Sequence, residues 1–273
     1  MADLTALLQA MNDGLALLDW LIEQGGDDSE RERRLRANID QFSADVSDVF
    51  AAEGDAFAAE AERFPDGPVD PARIEGAMNV AMAAGQSDLR AAAERAAGEA
   101  WLIGAEEMAR RLNLDITFSL DDPAAREYIR SVGADLVSRV DDTTRARLRG
   151  LIEDGTNNGW NYNQIAQAII GEFGEMAVGR PQAHIDSRAH LIAVTELGNA
   201  FEDGSLAAAR RMAAMGLEME KKWLTVGDNR VSEGCQANQT AGWIALDLPF
   251  PSGHDRPLRF PGCRCTALYQ RKR

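Results

Sequence analysis

Apolar residues recur every three or four positions through most of the chain, and that period restricts it to helices that bury one face each. Leu4, Leu7, Leu8, Met11, Leu15, Leu18 and Ile22 mark the first such face, and Gly25-Gly26-Asp27-Asp28 ends it. Ser29 is placed to cap a second helix reaching about Phe50. The clearest break is Phe64-Pro65-Asp66-Gly67-Pro68, followed by Asp70-Pro71, an N-cap with a proline in the first turn. Helices are expected over 71–84 and 87–112. Asp122-Pro123 repeats the signal and opens a helix to about Arg139, and Asp141-Asp142-Thr143-Thr144 is expected to cap the next. A hairpin of Thr143–Asp154 and Asn163–Phe173, joined through Gly155–Trp160, precedes a long helix from Ala183 towards Met215.

After Gly216 the period changes. Lys222–Val226, Trp243–Leu246 and Cys265–Gln270 read as short strands, separated by a turn at Gly227-Asp228-Asn229 and a Pro- and Gly-rich loop over 249–262. The expected fold class is mainly α with a small C-terminal α+β unit, the N-terminal part being a helical bundle or extended helices. The expected domains are a partner-binding helical region at 1–113 and a second region at 114–273, with helices over 122–215 and the β unit over 216–273. A unit so small has little core, so its loops need a tie.

Charge narrows the partners. The net charge is −15, and residues 1–100 carry 21 acids against 8 bases, while residues 201–273 carry 8 against 11. The acidic helices are either a solvated face or a surface that meets a basic protein. Neither half has the strongly basic face of a nucleic-acid-binding domain. Apolar stretches stop short of the roughly twenty residues a membrane span needs, so no membrane partner is expected. No basic segment followed by an apolar core opens the sequence, which predicts folding in a cytoplasm.

Three cysteines, Cys235, Cys263 and Cys265, lie in the last forty residues. An odd count without a secretory signal argues against a disulfide framework. With His254 as a fourth ligand they make a candidate structural zinc site, in which metal binding supplies folding energy to a loop-rich unit. The alternative is that they are small buried hydrophobes under the sheet. Glu196 shares a helical face with Ile185, Ile192 and Asn199 and should point inward. A buried carboxylate is costly unless paired, and Arg230 and Arg264 are the arginines placed to pair with it.

The ordered series in the second half carries a resemblance. Thr143-Thr144 is followed by Arg188, Ile192-Ala193-Val194-Thr195-Glu196, Lys222-Trp223-Leu224-Thr225 and Asp228-Asn229-Arg230-Val231. Cys235, Gly242 and Pro261-Gly262-Cys263-Arg264-Cys265 complete it. This series resembles the phage Mu protein F-like head morphogenesis family, which includes the SPP1 minor head protein. The chain departs from the family at Ser232, where a cysteine is common, and at Phe260, where a histidine often precedes the final motif. The resemblance implies a non-enzymatic minor capsid protein of a tailed bacteriophage. Such a protein binds the portal, with the major capsid or scaffolding protein as further partners. It would occupy the virion, in the head interior or at the portal vertex, after assembly in the host cytoplasm, and family members are delivered with the DNA. Arg188, Thr195, Glu196, Trp223, Asp228, Arg230, Pro261 and Arg264 are its structural motif residues. The acidic helices of residues 1–112 are the expected portal contact.

Two rival functions have weaker support. Packaged DNA is a possible partner through Arg256, Arg259, Arg264, Arg271, Lys272 and Arg273. Glu218-Met219-Glu220 is the Glu-x-Glu pattern of some ADP-ribosyltransferases, but no Ser-Thr-Ser strand accompanies it. Serine hydrolase, P-loop and Rossmann motifs are missing, so no catalytic residues are assigned.

Overall fold

The computed structural model describes residues 29–112, 116–178 and 187–272. The expected helix over Leu4–Ile22 and its Gly25–Asp28 stop lie outside them. The described elements are helices α1 (Ser29–Ala61), α2 (Pro71–Arg111), α3 (Pro123–Asn157), α4 (Tyr162–Val178) and α5 (Arg188–Ala214), then strand β1 (Met219–Leu224), helix α6 (Glu233–Thr240), and strands β2 (Trp243–Ala245) and β3 (Thr266–Arg271). The fold is mainly helical with a small C-terminal sheet. That sheet is antiparallel, in the order β2-β1-β3, and Lys222 of β1 pairs with Trp243 on one side and Leu268 on the other.

Local chemistry sets the helix starts. Asp70 Oδ1 accepts from the Ala72 amide at 3.0 Å and Asp122 Oδ1 from the Ala124 amide at 2.9 Å, each with a proline at the first helical position. At α4, Asn161 Oδ1 accepts from the Gln164 amide and Gln164 Oε1 from the Asn161 amide, both at 2.9 Å, a reciprocal capping box.

Two expected breaks are not breaks. The chain runs helical through residues 84–87, where the sequence suggests an interruption. A Cβ on Gly85 would lie 2.8 Å from Glu53 Oε1 and 2.9 Å from Val49 Cγ1, so the glycine admits α1 close to α2. Residues 140–144 likewise lie inside α3. Thr143 and Thr144 do not cap a helix. Their hydroxyls donate back to the carbonyls of Arg139 and Val140 at 2.8 and 2.7 Å, which satisfies them within the helix.

The chain forms two compact units, each drawing on segments from both sides of residue 113. One holds Gln41–Glu94 and Arg130–His190. Its core includes Phe57 and Phe173, with ring centroids 6.5 Å apart, and Phe64 packs on Tyr162 at 5.1 Å. The Tyr162 hydroxyl accepts from the Asp70 amide at 2.8 Å, tying the loop before α2 to α4. Glu53 and Asp141 are buried here. Burial, and then the charge of Asp141, push Glu53 up to about 8.

The other unit holds the described residues up to Asp40, Arg95–Ile129, and the chain from Leu191 on. In it α2 and α5 cross backbone to backbone. A Cβ on Gly104 would overlap the Phe201 carbonyl oxygen, and one on Gly204 would overlap the Trp101 carbonyl oxygen. Ser205 Oγ donates to the Gly104 carbonyl at 3.1 Å, and Trp101 Nε1 donates to Asp203 at 3.2 Å. From α1, Arg31 pairs with buried Glu107 at 2.6 Å, and Arg34 spans Glu99 and Glu106 at 2.8 and 2.9 Å.

Glycine at 104 and 204 therefore overrides helix propensity. Gly104→Ala and Gly204→Ala should each cost about 1–3 kcal/mol in chemical denaturation, although alanine is the better helix former. Gly76→Ala, in the same helix α2 with open space around it, should instead be neutral or gain up to about 1 kcal/mol.

Candidate functional site

The motif residues of the second half gather around β1, with one exception. Along β1 the side chains of Met219, Lys221 and Trp223 alternate inward. Trp223 is fully buried and meets Phe250 edge to face, centroids 5.1 Å apart at 81°. Beyond the strand, Gly227 takes φ +76° and Asp228 opens a tight turn, its Oδ1 accepting from the Arg230 amide at 3.0 Å. Asp228 Oδ2 accepts from Arg264 Nη2 at 2.5 Å and from Arg230 Nη2 at 3.4 Å. Burial works against this carboxylate, but those bonds hold it below the usual aspartate range.

Helix α6 has no counterpart in the sequence reading. It is one short element with Gly234 inside, too brief for a periodic signal. Ser232, its N-cap, accepts from the Cys235 amide at 3.4 Å. Two of its side chains hold the loops. Asn238 bonds the Ser252 amide and hydroxyl at 3.0 and 2.8 Å, and Gln239 Oε1 accepts from the Thr225 amide and hydroxyl at 2.8 Å.

Helix α5 supplies the opposite wall with one polar face. Thr195 Oγ1 accepts from the Gly262 amide at 3.0 Å, and Asn199 Oδ1 from the Leu258 amide at 3.3 Å and Arg256 Nη1 at 3.2 Å. Asp203 Oδ1 accepts from Arg256 Nε at 3.2 Å. Glu202, fully enclosed, accepts from the Thr266 hydroxyl and from the Ala267 amide at 3.1 Å. Burial raises it to about 7 despite those two donors. Glu196 is buried on the same helix, as its helical face requires. Pro261 is exposed at the first corner of a Phe260–Cys263 turn, with Gly262 at φ +76° and the Cys263 amide bonded to the Phe260 carbonyl at 3.0 Å. That is a type II turn, which wants proline and glycine in these two places.

Arg188 belongs to the other unit. Its guanidinium lies 5.4 Å from the Phe50 ring centroid and donates to Thr143 Oγ1 at 2.6 Å, Thr144 Oγ1 at 3.0 Å and the Val140 carbonyl at 3.3 Å. Burial lowers it to about 10. The spaced Thr143-Thr144 and Arg188 of the sequence are thus one contact.

The three cysteine sulfurs lie within 4.8 Å of one another, all buried. His254 is not in that group, and its Nδ1 faces Ser252 Oγ and the Ser252 carbonyl at 3.1 and 3.0 Å. Glu218 precedes β1 and pairs with Lys272 at 3.5 Å, while Glu220 lies within the strand, its Oε1 accepting from Gln270 Nε2 at 2.6 Å. Lys221 and Glu202 are site residues that motif reasoning missed. Lys221 is fully buried, donates to the Asp255 carbonyl at 2.8 Å and lies 5.2 Å from the Phe250 centroid, and burial lowers its pKa. The alternation of β1 was the available signal for it.

Residues 146–268, which contain the motif residues from Arg188 to Arg264, match the family model described as Phage Mu protein F like protein. Over that region the chain is similar to the Phage Mu protein F-like family. The family points to a structural protein of bacteriophage head morphogenesis and to the virion. No curated protein and no solved structure matches the chain. Among the described residues, no helix is long and apolar enough to cross a membrane.

A raised carboxylate gives the Mu F-like region a pH dependence with a definite sign. Glu202 is protonated more readily folded than unfolded, so its contribution is complete below about pH 4.5 and is lost as pH rises through about 7. Glu202→Gln keeps an acceptor without the charge. Its stability relative to wild type should improve between pH 5 and 8 by on the order of 1–3 kcal/mol, read from urea midpoints.

Proposed function

We propose that this protein is a minor head protein of a tailed bacteriophage that binds the portal and enters the head during assembly. The observation that carries the proposal is the family match over residues 146–268. The site chemistry supports a structural role, because its charged groups are spent on one another. Asp228 engages Arg264, Asp203 engages Arg256, and Glu202 anchors β3.

A DNA-binding role gains nothing from the same geometry. Arg256, Arg259 and Arg264, half of the basic residues that suggested it, bond internally to Asp203, Ser232 and Asp228. Arg271 and Lys272 remain exposed at the chain end.

The portal-facing surface we assign is on α1. Asp48 and Asp55 of α1, and Glu62 just past its end, are exposed at every seventh position, so they form one acidic stripe. Charge complementarity of this kind steers association and is screened by salt.

Co-expression with the portal protein of the same phage, followed by native mass spectrometry, tests the role. A complex of defined stoichiometry is expected, and the triple variant D48K/D55K/E62K should weaken it at least tenfold without changing the melting temperature of the free protein. Recovery of this chain as a monomer beside an unoccupied portal would overturn the proposal.

A further inference from the structure

We propose that Cys235, Cys263 and Cys265 form a structural zinc site in which the metal is held by three thiolates and one small non-protein ligand, water. His254 takes no part. The geometry is the first argument. Tetrahedral zinc with Zn–S bonds of about 2.3 Å places its sulfurs roughly 3.8 Å apart. The Cys235 and Cys263 sulfurs are 3.9 Å apart, and all three lie within 4.8 Å of one another. That spacing is about twice a disulfide bond length, and a disulfide would leave a third buried thiol over.

The three sulfurs are also brought together by separately fixed backbone. Cys235 sits in the first turn of α6 under the Ser232 cap. Cys263 closes the Phe260–Cys263 turn, and the Arg264 side chain between Cys263 and Cys265 is pinned by Asp228. A site assembled before the metal arrives loses little on binding.

The surroundings suit a metal–thiolate centre better than three neutral thiols. Zinc with three thiolates carries one net negative charge, and Arg259 supplies the balancing cation. Its Nη1 lies 3.9 Å from Cys235 Sγ, and Gly234 leaves room for it, since a Cβ there would stand 2.5 Å from that nitrogen. The Trp223 indole N–H is buried with no hydrogen-bond partner, and the Cys265 sulfur lies beside it. An orphaned buried donor is rare in a folded protein, and a metal-bound thiolate is the acceptor it lacks.

Zinc replaces the protons that the three thiols still hold and releases them to solvent, with no change of oxidation state. Three protein ligands with one open position is the pattern of catalytic zinc. Here the cysteines are 1–4% exposed and packed against Trp223, Phe250 and Leu258, so no substrate can reach the metal and the role is structural.

The test uses the full chain, purified without chelator, its metal counted by plasma mass spectrometry and its apo form titrated with Co²⁺. About one zinc per chain is expected, and cobalt should give thiolate-to-metal charge-transfer bands together with strong tetrahedral d–d bands. Cys263→Ser should lose both, His254→Ala should keep both, and Arg259→Met should weaken binding about 10–100-fold. Binding should tighten as pH rises from 6 to 8. Folded wild-type protein that stays metal-free after zinc incubation, with three thiols still titratable and no cobalt–thiolate band, would overturn the proposal. Loss of the bands in His254→Ala would overturn the ligand set.

Discussion

Two helices that touch through their backbones leave no freedom in what surrounds them. At the crossing of α2 and α5, Gly104 faces the Phe201 carbonyl and Gly204 faces the Trp101 carbonyl. The helices are fixed in rotation as well as distance, because each glycine is the only residue type that fits. From that fixed pair the polar face of α5 projects at set positions. Thr195, Asn199, Glu202 and Asp203 then take the backbone and side-chain groups of the last loop and strand. The C-terminal sheet would have little to hold it otherwise, since three short strands bury a small core.

This arrangement explains the chemistry of the region. Buried polar groups are tolerated when each finds a partner, and removing one partner leaves the other unsatisfied at about 1–3 kcal/mol. Buried Asn238 with Ser252 and buried Thr225 with Gln239 are of this kind, and half-buried Asp228 with Arg264 follows the same pattern. Lys221 solves the same problem with a carbonyl and a ring face. The Mu F-like motif therefore reads as a wiring pattern for loops. Thr195, Asp228 and Arg264 lie far apart in sequence because each holds a different loop in place there.

Local signals were legible in the sequence, and tertiary ones mostly were not. Asp70-Pro71 and Asp122-Pro123 announce their helices because a cap acts within three residues. The inward placement of Glu196 follows from helical period alone. Gly85 and Thr143-Thr144 misled for the same local reason. Glycine and threonine disfavour helices in isolation, but here the first admits a neighbouring helix and the second are claimed by Arg188. Helix α6 is too short for periodicity to show. The gathering of the three cysteines could be suspected from their confinement to the last forty residues, but Arg259 belongs to no motif, and nothing local in the motif around Trp223 announces that its N–H ends beside a sulfur.

The end of α2 and the chain from Leu191 on pack into one unit and should open as one cooperative core. Native-state hydrogen exchange on the full chain reads this directly. Amides of residues 95–111, of α5 within 191–214, and of β1 should open with a common free energy that falls together as denaturant is added. Protected β1 and α5 amides beside residues 95–111 that exchange orders of magnitude faster would contradict it, and would make the C-terminal region a domain that stands without α2.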